Sequence, residues 1–274
     1  MLNFIQTRLD TKIRRATFLA GLTILLLLAI SFIVVLVADG KSNFEIITSL
    51  QGQNKLNDEN LSTLIQQGLF INFKSSFWHR TMTFTYLSNF AIGLALTFYS
   101  LFMNKKGLNN FVVWSSIYIF VTFLIFWSLV FPGLFKSGVY KPDRLIASLI
   151  THLINPLIAI IFIVLNRKKL VYTHKWIIAS IIPMFIYYFF AMIIYFNALP
   201  TSHLLAKSVT DLEVWKLQDK LGLTIYGFLN FEYPLFYHGD STALKVVFNL
   251  IIVLVGVALP IGIGYLWKLV CLKK

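Results

Sequence analysis

Six stretches of this 274-residue chain contain no Asp, Glu, Lys or Arg: Ala16–Ala38, Thr81–Asn104, Gly107–Phe135, Leu145–Asn166, Trp176–Ala206 and Val246–Trp267. Each is at least 22 residues long. This absence excludes an ordinary soluble domain, whose surface helices carry charge on their solvent faces. Cysteine is nearly absent too. Cys271 stands alone, which excludes an internal disulfide or a cysteine-based metal cluster. With no lipobox around that cysteine, the chain is not expected to be a lipoprotein. The runs hold no ionisable residue of either sign except histidine, and no inverted repeat is visible, which argues against ion-coupled transport. His79, His203 and His238 are expected outside the membrane, but no HExxH or similar spacing accompanies them. No metal or cofactor is implied.

What is present is apolar length. Roughly 20 apolar residues suffice for a helix to cross the hydrocarbon layer, and lipid offers the backbone no water, so the runs are expected as helices. The fold class follows as all-α: a polytopic membrane protein of one six-helix domain over residues 1–274. Its helices are expected near 16–38, 81–103, 111–132, 145–165, 176–197 and 245–268. If the N-terminus is cytoplasmic, thirteen of the basic residues lie inside against Asp10 alone, while the other eleven basic and ten acidic residues nearly cancel outside. Nearly all of the +13 net charge is then cytoplasmic, as the positive-inside rule requires at every loop. Both termini are expected inside, in the cell membrane. Anionic inner-leaflet lipid is a sufficient partner for the basic loops, and no nucleic-acid motif accompanies the charge. The first run exceeds a signal-peptide core, and Leu36 before Ala38 makes a poor cleavage site, so it reads as a retained anchor.

Two outer segments are longer than the rest. Asp39–Arg80 spaces Leu56, Leu61, Leu64, Ile65 and Leu69 among polar residues, as an amphipathic segment on the membrane would. In Asn197–Lys245, Thr210-Asp-Leu-Glu213 has the form of a capping box, and Val214, Leu217 and Leu221 before Gly222 read as a short helix with a glycine stop.

Polar residues inside membrane helices are costly, so function is sought there. The second run carries Thr81, Thr85, Ser88 and Asn89 at helical spacing; the fourth carries Ser148, Thr151, His152 and Asn155. At ~1.5 Å rise per residue, both faces enter from the outside to similar depth. Pro156 cannot donate to the carbonyl of His152 and should disturb the helix there. Tyr188 and Tyr195, and Asn230, Glu232 and Tyr233 in the last outer loop, are further candidates. Ser, Thr and Asn also serve as plain interhelical glue, and a structural histidine bonded to a neighbouring helix is an equal reading of His152.

Phe84-Thr-Tyr-Leu-Ser-Asn89 followed by an apolar helix, with Thr151-His-Leu-Ile-Asn-Pro156 opening another, resembles the six-pass androgen-induced/androgen-dependent family and the bacterial Pr6Pr-type membrane proteins. Glu232-Tyr-Pro234 is similar to the element before that family's last helix. The former hydrolyse fatty-acid esters of hydroxy fatty acids with an intramembrane threonine and histidine. The resemblance implies Thr85 as nucleophile and His152 as base, with Ser88, Asn89, Asn155, Tyr188, Tyr195, Asn230, Glu232 and Tyr233 in support, and relatives among wall-less bacteria (mollicutes). The long outer segments depart from the family and suit a larger substrate, such as a lipid-modified protein.

The chemistry is consistent with those residue types. A hydroxyl needs an adjacent base, and neutral imidazole is one. Asn89, Asn155 or a tyrosine would donate to an oxyanion. An acidic third member is missing unless Asp143 or Glu232 folds inward. The expected function is a lipid ester hydrolase or acyltransferase acting on membrane lipids. A non-enzymatic scaffold with partner-binding outer loops is the alternative, and a transporter the weakest reading.

Overall fold

A computed structural model describes residues 7–53, 58–68, 73–103, 105–132, 142–208 and 212–272. Among these, the helices are α1 (Lys12–Gly52), α2 (Asp58–Gln66), α3 (Phe73–Thr81), α4 (Phe84–Leu101), α5 (Lys106–Ile125), α6 (Pro142–Leu149), α7 (Asn155–Leu165), α8 (His174–Ala179), α9 (Ile181–Ala206), α10 (Val214–Lys220) and α11 (Thr242–Leu272). Single π-helical turns at Phe126–Val130 and Ile150–Ile154 extend α5 and join α6 to α7. Six helical stretches are long and apolar enough to cross a membrane: Lys12–Gly52, Phe84–Leu101, Lys106–Val130, Arg144–Leu165, His174–Ala206 and Thr242–Leu272. The chain is an all-α, multi-pass membrane protein. Threonines start three of the spans: Thr11, Thr83 and Thr173 each accept a backbone N–H of the first turn, satisfying donors the helix leaves open.

The chain divides into two compact units, residues 1–108 with 122–166, and residues 109–121 with 167–274. In the first, α1 is the axis. It buries a narrow stripe of mostly small residues, Thr17, Ala20, Gly21, Ile24, Leu28, Ser31 and Ala38, against α4 and the α6–α7 helix. Small residues let membrane helices approach closely, because lipid gives no hydrophobic drive to associate. At Gly21 the approach is closest. A Cβ there would sit 2.7 Å from Thr97 N and 2.8 Å from Gly93 O, and one at Gly93 would sit 2.8 Å from the Leu25 side chain. Polar groups tie the same helices: Asn166 Nδ2 donates to Thr17 Oγ1 at 2.9 Å, and Ser31 Oγ bonds Tyr86 OH at 3.1 Å and Ala147 O at 3.3 Å. Arg14 Nε caps the end of α4 at Ser100 O, 3.0 Å away. Where α1 leaves the apolar run, Asp39 accepts both Nε and Nη2 of Arg80, at 3.0 and 3.1 Å, and Nη2 of Arg144 at 3.0 Å. One carboxylate thus fastens the entries of three helices.

The second unit is held in the same way. Asn109 pairs with Val171 through both its amide groups, each at 3.0 Å; Trp114 Nε1 donates to Trp176 O at 2.8 Å; Ser116 bonds Tyr172 at 2.7 Å; and Tyr118 OH donates to Ser180 O. Helix α9 packs on α10 and α11.

Three sequence expectations change. Helix α1 does not end at Ala38 but runs on to Gly52. No proline interrupts it, and Asp39 is occupied by arginines rather than free to compete for the backbone. The fifth span continues through Asn197 and Pro200 to Ala206, so the segment before the last span begins later than Asn197. The capping box does not start α10: Glu213 is itself the N-cap and makes no side-chain cap bond, and Thr210 and Asp211 lie outside the described residues. Glu213 instead pairs with Lys216 at 2.9 Å, whose hydrogen bond holds its carboxyl below the ordinary range. The glycine stop is present. Gly222 takes φ +73°, and Leu223 N bonds Gln218 O at 3.0 Å, the left-handed ending that glycine permits. Leu56 and Leu69 lie outside the described residues, while Leu61, Leu64 and Ile65 fall on α2.

Gly21→Ala is expected to destabilise the protein by about 1–3 kcal/mol, because backbone rather than a flexible side chain stands in the way. Gly40→Ala, with nothing within 4 Å of the added atom, is expected to leave thermal unfolding in detergent unchanged. Asp39→Asn should also destabilise, by more than a surface ion pair's ~0–1 kcal/mol, since it leaves two arginines facing each other. Added salt should narrow the gap between that variant and the wild type.

Candidate functional site

The three clustered threonines of the second run separate by position. Thr81 ends α3 and donates to Phe77 O at 2.9 Å. Thr83 is the N-cap of α4 and donates to Arg80 O at 3.0 Å. Thr85, one residue into the helix, is buried, and its carbonyl accepts Ser88 Oγ at 3.0 Å and Asn89 Nδ2 at 2.8 Å. The hydroxyls of Thr81 and Thr83 thus serve helix ends.

Pro156 acts on the fourth span as its chemistry requires. Lacking an N–H, it cannot close the turn on His152 O. The backbone passes through the π turn Ile150–Ile154 just before it, and Trp127 Nε1 donates to the freed carbonyl at 2.9 Å. Trp127 itself lies in the other π turn, Phe126–Val130. The two turns meet at their rings: the imidazole of His152 stacks on Phe126, with centroids 3.7 Å apart and planes 5° from parallel. π turns of this kind are frequent at functional sites.

The imidazole lies beside the backbone of Thr122. Its Nδ1 is buried with no hydrogen-bond partner. The ring presents a bare nitrogen to the protein interior. Thr122 Oγ1 meanwhile bonds Ser88 Oγ at 2.7 Å, which joins α4 to the residue beside His152. Thr151, the neighbouring hydroxyl, is occupied by Ala147 O at 3.0 Å.

Asn89 and Asn155 surround this turn. Asn89 is fully buried and gives both amide hydrogens away, to Thr85 O at 2.8 Å and to Thr151 O at 3.0 Å. It therefore clamps α4 to the π turn and has no hydrogen left for an oxyanion, contrary to one role expected of it. Asn155 donates to Ile24 O at 3.4 Å. The Oδ1 of each, like His152 Nδ1, is buried without a partner. Three acceptors with no donor thus belong to adjoining residues of one polar layer.

The remaining candidates form a separate network in the second unit. Tyr195 OH bonds Gln218 Oε1 at 3.2 Å and Asn230 Oδ1 at 3.1 Å. Asn230 Nδ2 donates to Gln218 Oε1 at 2.8 Å, and Gln218 Nε2 donates to Glu232 Oε2 at 2.7 Å. His203 Nε2 bonds both Glu232 oxygens, at 3.0 and 3.2 Å. Tyr188 contributes only packing here, with its ring 5.7 Å from that of Phe231. Burial pushes the Tyr233 phenol up, and the Glu232 carboxylate adds to it, so Tyr233 stays a protonated donor. Glu232 is thus spoken for by His203 and Gln218. The side chain of Asp143 lies outside the described residues.

Sequence reasoning missed Thr122, Phe126 and Trp127 in the third run, Gln218 on α10 and Lys245 on α11. Trp127 carried a signal, since an indole N–H in an apolar helix must find an acceptor. Gln218 carried none. Among the described residues, no group of histidine, cysteine or carboxylate side chains is arranged to hold a metal. Comparison with family models, with curated proteins and with solved structures finds no match to this chain.

Proposed function

We propose that this chain is a lipid ester hydrolase or acyltransferase of the cell membrane, with Thr85 as nucleophile and His152 as base. The observation that carries the reading is the buried Nδ1 of His152, which has no hydrogen-bond partner, with the Oδ1 of Asn89 and of Asn155 in the same state. Buried acceptors are costly to leave unmatched, so a hydroxyl-bearing substrate or water entering this layer gains what the protein withholds. The resemblance to the androgen-induced/androgen-dependent hydrolases, carried by Phe84–Asn89 and Thr151–Pro156, supports the same two residues.

The steps balance without a cofactor. Thr85 Oγ1 attacks the ester carbonyl as His152 Nδ1 takes its proton. The tetrahedral intermediate collapses, the alcohol leaves with that proton, and the acyl group stays on Thr85 Oγ1. Water, or the hydroxyl or amine of an acceptor such as a lipid-modified protein, then attacks the acyl group as its own proton passes to His152. The second collapse returns that proton to Thr85. The role needs the Nε2–H tautomer of His152, and Asn155, which gives one amide hydrogen to Ile24 O, has a second to offer an oxyanion.

Purified protein incubated with a library of acyl esters, read by lipid mass spectrometry, tests this. Thr85→Ala and His152→Gln are each expected to cost about 10²–10⁴-fold in turnover with melting unchanged. A wild type that turns over nothing, or variants that retain activity, would leave the scaffold reading in its place.

The orientation proposed with this function puts both termini in the cytoplasm. In a Cys271→Ala background, cysteines at Glu59 and Lys220 should react with an impermeant thiol reagent on intact cells, and one at Lys168 should not. Reaction at Lys168 alone would invert the protein.

A further inference from the structure

A cavity of about 530 Å³ in the second unit is lined by the end of α9 and the start of α11, with α10 and the Phe231–Tyr233 loop as its other walls. We propose that it binds the zwitterionic headgroup of a membrane phospholipid, Lys245 holding the phosphate and Glu232 the ammonium. The inference is independent of the chemistry at His152.

The volume falls within the ~300–1,000 Å³ of small-ligand pockets. Its place suits a headgroup: α9 closes one membrane span and α11 opens the next, so the cavity lies where a span meets the aqueous boundary. Its charges select the kind of headgroup. Lys245 and Glu232 line the same cavity, yet the Lys245 ammonium makes no ion pair among the described residues. It rests over the Tyr233 ring, 5.1 Å from the centroid. An anionic ligand would meet the Glu232 carboxylate, and a cationic one would meet Lys245. A ligand with one charge of each sign meets both well.

The carboxylate is also fixed in advance, which lowers the cost of binding. Gln218, fully buried, holds Glu232 Oε2 at 2.7 Å and is held in turn by Tyr195 and Asn230. Asn230 Oδ1 accepts the backbone N–H of Glu232 and of Tyr233, both at 3.0 Å. Glu232 Oε1 receives only His203, and a carboxylate oxygen accepts two donors. One position is therefore left to face the ligand's ammonium group. Phe231 lines the same cavity, and Ala206, Val214 and Val246 offer apolar wall to the first carbons of the lipid.

The full-length protein in detergent, titrated with short-chain phosphatidylethanolamine, phosphatidylcholine and phosphatidylglycerol and with soluble glycerophosphoethanolamine, tests the assignment by native mass spectrometry. The zwitterionic lipids should bind at least tenfold tighter than phosphatidylglycerol. Lys245→Gln should weaken them tenfold or more with melting unchanged. Glu232→Gln should weaken them while strengthening phosphatidylglycerol, and so narrow or invert the preference. Equal binding of zwitterionic and anionic lipid would overturn the proposal. So would Lys245→Gln variants that bind as the wild type does, a check that stands even if Glu232→Gln loosens the loop. Glycerophosphoethanolamine binding as tightly as the lipid would overturn the lipid as ligand in favour of a soluble phosphodiester.

Discussion

Inside a bilayer a buried polar group has no water to fall back on, and most of this structure follows from that. Helices result because they satisfy their own backbone. Their remaining donors and acceptors are matched across helices: Asn166 to Thr17, Ser31 to Tyr86 and Ala147, Trp114 to Trp176, Tyr118 to Ser180. Where proline breaks the pattern at position 156, an indole replaces the missing donor. Among the buried atoms left unmatched are the acceptors of Asn89, His152 and Asn155 around the π turn, and Asn166 Oδ1.

Packing supplies the rigidity that such a site needs. Lipid does not drive helices together, so close approach and electrostatics have to. The crossing at Gly21 and Gly93 brings the backbones of α1 and α4 within reach of each other. The Asp39 carboxylate fastens α1 to the arginines that precede α4 and open the fourth span. Asn89 then fixes the π turn against α4, and the stack on Phe126 holds the imidazole plane. Each contact removes a freedom that would otherwise move Nδ1.

Uncharged length made all six spans legible in the sequence, because the bilayer sets that length. Their ends were less so. The run of α1 past Ala38 and of α9 past Pro200 depends on tertiary partners for Asp39 and on a proline the helix tolerates, neither of which composition reveals. At the site, helical spacing brought out Ser88, Asn89, Thr151 and Asn155, and the proline rule brought out the open carbonyl of His152. The third span's share, from Thr122, Phe126 and Trp127, was hidden among apolar neighbours with no periodicity to mark it. Tyr195, Asn230 and Glu232, expected in support of Thr85 and His152, bond Gln218 and His203 and one another, partners that no spacing connects.

The central claim is that a threonine hydroxyl on α4 is activated by the bare nitrogen of His152. Covalent trapping tests it most directly: the protein in detergent is treated with a lipid-like β-lactone or fluorophosphonate, and the adduct is located by peptide mass spectrometry. One equivalent on Thr85, lost in His152→Gln while the fold persists, is the expected result. An adduct on another residue, or labelling of Thr85 that is indifferent to the histidine, would contradict it.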